Sequence, residues 1–205
     1  MDLSHQEIVA TVIAASFAAG LNVYATVATL GLLARYKILA LPAGLDLLQD
    51  WWVIGVAGAL FFIEFFADKV PAFDLIWNAL HTFIRVPIAA YLGYASTMQL
   101  SHGEQAMTAI LAGGIALVAH GGKTAVRAAV TPSPEPLSNI GLSVVEDVAA
   151  IGLTWFAVSY PYIAAAIVLV LVVITFLLVR WVIRALRSLF RGAQRRWNEL
   201  QQQNV

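Results

Sequence analysis

No cysteine occurs among the 205 residues, which excludes disulfides, thiolate metal sites and thiol nucleophiles. Charge is nearly as scarce. Asp, Glu, Lys and Arg make up 12% of the chain against 60% hydrophobic residues, where an average soluble domain holds about 25% charged and about 45–50% apolar residues. That balance points to a bilayer as solvent, with membrane lipids as partners and no nucleic acid. The opening "MDLSHQE" lacks the positive region of a cleaved signal, so the first helix is expected to stay. Recognised catalytic spacings are missing too: no His-Glu-x-x-His, no Gly-x-Ser-x-Gly and no Asp-rich metal motif. No cofactor is expected, and the histidines and carboxylates are not spaced to specify a metal ion.

What the chain does contain is long apolar runs. A hydrocarbon core of about 30 Å needs about 20 apolar residues per helix, and six segments qualify, near 7–34, 51–69, 72–97, 105–130, 137–158 and 161–185. The expected fold is an all-α polytopic membrane helix bundle: a single transmembrane domain over 1–185 and a basic cytoplasmic tail over 186–205. "SHQE" (4–7) and "SHGE" (101–104) have the capping-box form and mark the starts of helices one and four. Pro71, "TPSPEP" (131–136) and "SYPY" (159–162) separate later helices.

Arg180, Arg184, Arg187, Arg191, Arg195 and Arg196 crowd the last 26 positions, which places that end in the cytoplasm and suits a helix continuing onto an anionic lipid surface. Six crossings would put both termini there. Arg35 and Lys37 then fall in an outside loop, against the rule. The segment "ILALPAGLDLLQDWW" reads as a short interfacial helix with Trp51 and Trp52 at the headgroups.

The ionisable residues are concentrated in the middle. In "DKVPAFDLIWNALHTFIR" (68–85), Asp74, Asn78, His81 and Arg85 share one helical face, with Asp68 and Lys69 before them. His81 lies about 15 Å along the helix from Pro71, and Glu64 roughly 10 Å deep on the preceding helix. Aligning Pro136 with Pro71 places Asn139, Ser143 and Glu146 in the same register, and His120, Lys123 and Arg127 share a face of the helix leading into that second hairpin. Asp147 points about 100° away from Glu146, toward a separate contact. Two Pro-bounded polar hairpins would thus dip from one side, with acids and bases facing one another. Gly121 and Gly122 thin or unwind their helix. Asn22, with Ser16 and Gly20, sits mid-way in the first helix, where it breaks that helix, lines a cavity or, as the preferred reading has it, packs closely.

One charge at a helix centre costs about 2.5–3.5 kcal/mol, so these groups must be paired, hydrated or both. For Glu64, His81, Arg85 and Glu146 depth favours function. For Asp68, Lys69 and Asp74, capping and interfacial solvation compete evenly with lining a mouth. Lys123 is evenly balanced, and Arg127 is expected to snorkel.

"EFFADKVPAFDLIWNALHTFIR" together with "KTAVRAAVTPSPEPLSNIGLSVVEDVA" resembles an uncharacterised family of bacterial integral-membrane proteins, catalogued as a domain of unknown function, over about residues 7–180. The resemblance implies a multi-pass protein of the bacterial inner membrane and supplies no activity. From the residues, the first reading is a small transporter or permease for an ion or small polar solute, a homo-oligomer among its possible forms. Glu64, His81 and Glu146 would exchange protons or bind a cation, with Arg85 and Lys123 as counter-charges. An intramembrane enzyme acting on a lipid or phosphate ester, with Lys123 and Arg127 as clamp, is the alternative, and a non-catalytic scaffold the third.

Overall fold

Helix starts are set by local chemistry. Ser4 Oγ accepts from the Glu7 N–H while the Glu7 carboxylate accepts from the Ser4 N–H at 2.8 Å, and Ser101 and Glu104 repeat the arrangement. In the computed structural model, backbone is described for residues 4–68, 71–130 and 136–203, with side chains in those stretches except at 43, 71–76, 128, 130, 136–139, 186, 189–190 and 192–203. Lys69, and the side chains of Asp74 and Asn139, therefore lie outside the described residues. The elements are α1 (His5–Leu21), α2 (Val23–Arg35), a 3-10 helix (Ala43–Gln49), α3 (Trp51–Ala67), α4 (Pro71–Ser96), α5 (His102–Val130), α6 (Pro136–Ser159) and α7 (Pro161–Gln203). Helix α7 runs on through the basic segment to Gln203. Helix α5 stays continuous through Gly121 and Gly122; instead of unwinding, Gly122 sits against Thr175 of α7.

The expected first helix is broken in two. Asn22 has extended backbone (φ −150°, ψ 104°); its N–H donates to Ala18 O at 2.9 Å, and its Oδ1 accepts from the Ala25 N–H at 2.9 Å. One asparagine thus closes α1 and caps α2, supplying the polar groups that a chain break would otherwise leave unpaired. Contacts along α6 trace the path of the two halves. Thr11 Oγ1 donates to Ala157 O at 3.4 Å, Asn22 reaches Asp147, Thr154 Oγ1 donates to Thr26 Oγ1 at 3.4 Å, and Leu30 packs in a cluster with Val158. The chain descends α6 from Thr11 to Asn22 and climbs it again to Leu30, so α1 and α2 are the arms of a helical hairpin.

This changes the expected topology. The expected first span is a hairpin followed by five further helices, α3 to α7, and the Ser4 and Arg180 ends lie at opposite ends of the bundle. Hydropathy counts residues and is blind to direction, so a folded-back pair looks like one long span. Three described segments are long and apolar enough to cross a membrane: His102–Arg127, Ile140–Ser159 and Pro161–Ala185. Asn22→Ala should destabilise the protein by about 1–2 kcal/mol, the cost of a lost cap; an unchanged unfolding midpoint in detergent would show that the turn does not depend on this side chain.

Small residues let the hairpin sit close to its neighbours. Ala14, Ala18, Ala19 and Gly20 of α1 and Ala112, Ala116 and Ala119 of α5 are all but fully buried, and α1 runs parallel to α5. The arms of the two predicted hairpins, α3–α4 and α5–α6, are spread rather than packed together, and the α1–α2 hairpin lies among them. Toward the 3-10 helix, Leu30, Leu45, Leu48, Leu92 and Ala95 form a packed apolar layer. Outward faces carry large apolar side chains such as Phe62, Phe66, Phe83, Ile110, Val170 and Trp181, a surface that suits acyl chains rather than water.

Trp51 and Trp52 are exposed at the start of α3, and Arg35, the residue at odds with the charge rule, stacks on Trp51 at 4.6 Å and donates to Gln49 O at 3.2 Å. Helix α2 ends in a Schellman motif in which Ile38 N–H donates to Leu33 O and Lys37 N–H to Ala34 O; Lys37 takes the left-handed position (φ 56°) usually held by glycine.

Candidate functional site

Six ionisable side chains from four helices meet below the hairpin tip. Glu64 of α3 pairs with Arg85 of α4 and lies 3.5 Å from Lys123 Nζ of α5. Asp68, which closes α3, accepts from Lys123 at 3.0 Å and from Arg127 at 2.9 Å. Glu146 of α6 faces the same two cations, at 3.2 Å from Lys123 and 2.6 Å from Arg127. Among the described residues this set holds three carboxylates and three cations. Five of the side chains are at most 1% exposed, and Glu146 is 11% exposed. Charges so buried persist only when paired and hydrogen-bonded.

The hairpin end completes the shell. Gly20 O and Leu21 O, among the last carbonyls of α1, face Arg85 at 3.5 Å and Lys123 at 3.4 Å, so cations meet the negative end of a helix dipole.

Two histidines extend the network in different ways. His120 Nδ1 lies 2.8 Å from the Arg85 guanidinium, which can only donate, so Nδ1 accepts. Nε2 then carries the hydrogen and points at Thr82 Oγ1 (2.8 Å) and Asn78 O (3.0 Å). His81 donates from Nδ1 to Trp77 O at 2.7 Å and accepts at Nε2 from the Tyr24 hydroxyl at 3.0 Å, edge-on to the tyrosine ring. It thereby binds α4 to α2 rather than to the carboxylates.

Asp147 stands apart from the pairs. Asn22 Nδ2 donates to its Oδ1 at 2.9 Å, and no cation pairs with it among the described residues. It is 4% exposed, and its Oδ2 has no hydrogen-bond partner among the described residues. Ser143, one turn earlier on α6, is fully buried, and its hydroxyl has no partner among the described residues. Among the described residues, no group of three or more His, Asp or Glu is placed to hold a metal.

The structure therefore brings together Glu64, Asp68, Arg85, His120, Lys123, Arg127 and Glu146, with Asn78 bound through its carbonyl, and places His81 and Asp147 beside them on separate partners. Arg127 does not snorkel: it is 1% exposed because two carboxylates hold it inward. Asp68 is likewise buried in ion pairs and not solvated at a boundary. Sequence reasoning misses Tyr24 and Thr82 entirely, since a lone aromatic or hydroxyl in an apolar helix carries no signal. Asn22 breaks its helix instead of packing within it, and asparagine's strength as a cap is the signal in the sequence that suggests a break.

Residues 9–181 match the family described as "Domain of unknown function (DUF4126)". No curated protein and no solved structure matches the chain.

Proposed function

The chain belongs to the DUF4126 family, whose description assigns no activity, and from the site geometry we propose that it is a small transporter or permease of a bacterial cytoplasmic membrane, moving an ion or small polar solute. The observation that carries this reading is the cluster of six paired charges, five of them buried, at the tip of a helix hairpin that stops inside the bundle. Irregular backbone at membrane depth is tolerated where protein buries it or it lines a cavity, and discontinuous helices whose ends face charge are how secondary transporters build substrate sites. A scaffold would hold its helices together more cheaply with apolar contacts, because buried ion pairs are often no better for stability than well-packed hydrophobic residues.

Access is from the end of the bundle where α3 closes at Asp68. Glu146 is the exposed member of the cluster, while the leucine layer closes the opposite end. The arginines of α7 put the access end in the cytoplasm by the positive-inside rule, and the Ser4 end then faces outward.

Purified protein in liposomes, under an imposed pH gradient and with sodium, potassium or phosphate gradients in turn, should dissipate at least one of them. Glu146→Gln should slow that flux at least tenfold while the protein stays folded in detergent. Wild-type liposomes no leakier than empty ones under every gradient would sink the reading.

A further inference from the structure

Among the described residues four carboxylates surround the hairpin tip, Glu64, Asp68 and Asp147 buried and Glu146 partly so, and three are matched by Arg85, Lys123 and Arg127. The fourth, Asp147, is not. A carboxylate this deep without a counter-charge must take up a positive charge from elsewhere or exist as the neutral acid.

The surroundings decide which. Ala25 N–H can only donate, so it fixes Asn22 Oδ1 toward itself and turns the Asn22 NH₂ toward Asp147. Asp147 Oδ1 is therefore an acceptor in either protonation state, and Oδ2 is the atom left to hold a hydrogen. An alkali ion needs several oxygens around it, as calcium does with six or more; among the described residues, the unpartnered buried side-chain oxygens of α6 are Asp147 Oδ2 and Ser143 Oγ. A proton needs one. The charges felt most at Asp147 are those of Lys123 on α5 and Glu64 and Asp68 on α3. α2 contributes the Asn22 amide, and α7 has no charged side chain between Pro161 and Val179. Those three groups sum to one negative charge, and with Arg85, Arg127 and Glu146 added the ion-paired cluster sums to zero, so it leaves no cation over for Asp147.

We infer that Asp147, and not the ion-paired carboxylates, is the residue that takes up and releases a proton during transport, at a site formed with Asn22 and Ser143 where α1 and α2 meet. The inference rests on the transport reading. Uptake adds one proton to Oδ2 and takes the described cluster from a net charge of minus one to zero, and release restores it. The hairpin tip senses the change directly, because its Asn22 side chain is both the α2 cap and the Asp147 partner. Charge on Asp147 thus biases the hairpin position.

Infrared difference spectroscopy across a pH titration, on the full chain in lipid nanodiscs, tests this without needing a known substrate. Wild type should show the carbonyl stretch of a buried protonated carboxylic acid that disappears on raising pH. Asp147→Asn should abolish the band, and Glu146→Gln should retain it. A band that persists in Asp147→Asn, or no band in a folded wild type, overturns the assignment. Loss of the band on adding sodium at constant pH does the same, since an alkali ion would then occupy the site. Proton flux in liposomes is read separately: Asp147→Asn should lower it at least tenfold. A titrating Asp147 band with no flux of any kind in wild type would overturn transport while leaving the proton site in place.

Discussion

Glu64→Ala should destabilise the protein by about 3–5 kcal/mol, the cost of removing one partner from a buried pair. Glu64 is fully buried and is the carboxylate partner of Arg85 among the described residues, so truncation leaves a guanidinium inside the bundle with only His120 Nδ1 and the distant Gly20 carbonyl to receive its hydrogens. Arg85→Met should cost less, because Lys123 remains 3.5 Å from Glu64 as a substitute counter-charge. The double variant Glu64→Ala, Arg85→Met removes the charge and its partner together and should be more stable than Glu64→Ala alone. Denaturant unfolding of the four proteins in detergent gives the cycle. Strict additivity of the two single effects would mean that the pair does not interact.

Gly20→Val is expected to be as damaging for a different reason. A Cβ at Gly20 would lie 2.7 Å from Ala119 Cβ and 2.9 Å from Ala116 Cα. These are backbone or backbone-adjacent atoms of a neighbouring helix and cannot swing aside. Overpacking costs typically about 1–3 kcal/mol, and here the effect should sit at or above the top of that range, since α1 must move away from α5 and carry the Asn22 turn with it. Gly121→Val is the matched control. Nothing lies within 4 Å of a Cβ at that position, so its stability should stay within about 0.5 kcal/mol of wild type. Equal unfolding midpoints for the two variants would show that the hairpin is not pressed against α5.

Much of this architecture is legible in the residues alone. Both capping boxes are visible in four-residue strings, because a cap is a local bond between a side chain and nearby backbone. The shared face of Asn78, His81 and Arg85 follows from helical period alone, as does the separate direction of Asp147 from Glu146. The folded-back first helix is not legible in the same way. Its residues 7–34 are apolar enough for one span, and the partner that receives the Asn22 amide, Asp147, is 125 positions away.

By itself, then, the sequence determined the solvent, the ends of most helices and the need for its interior charges to find partners, because each of these follows from composition or from interactions a few residues long. Only the tertiary structure decided which carboxylate meets which cation, that one carboxylate is left over, and that α1 and α2 run in opposite directions. Those outcomes belong to side chains brought together from distant helices, and the cost of burying a charge requires a partner without specifying which residue it will be.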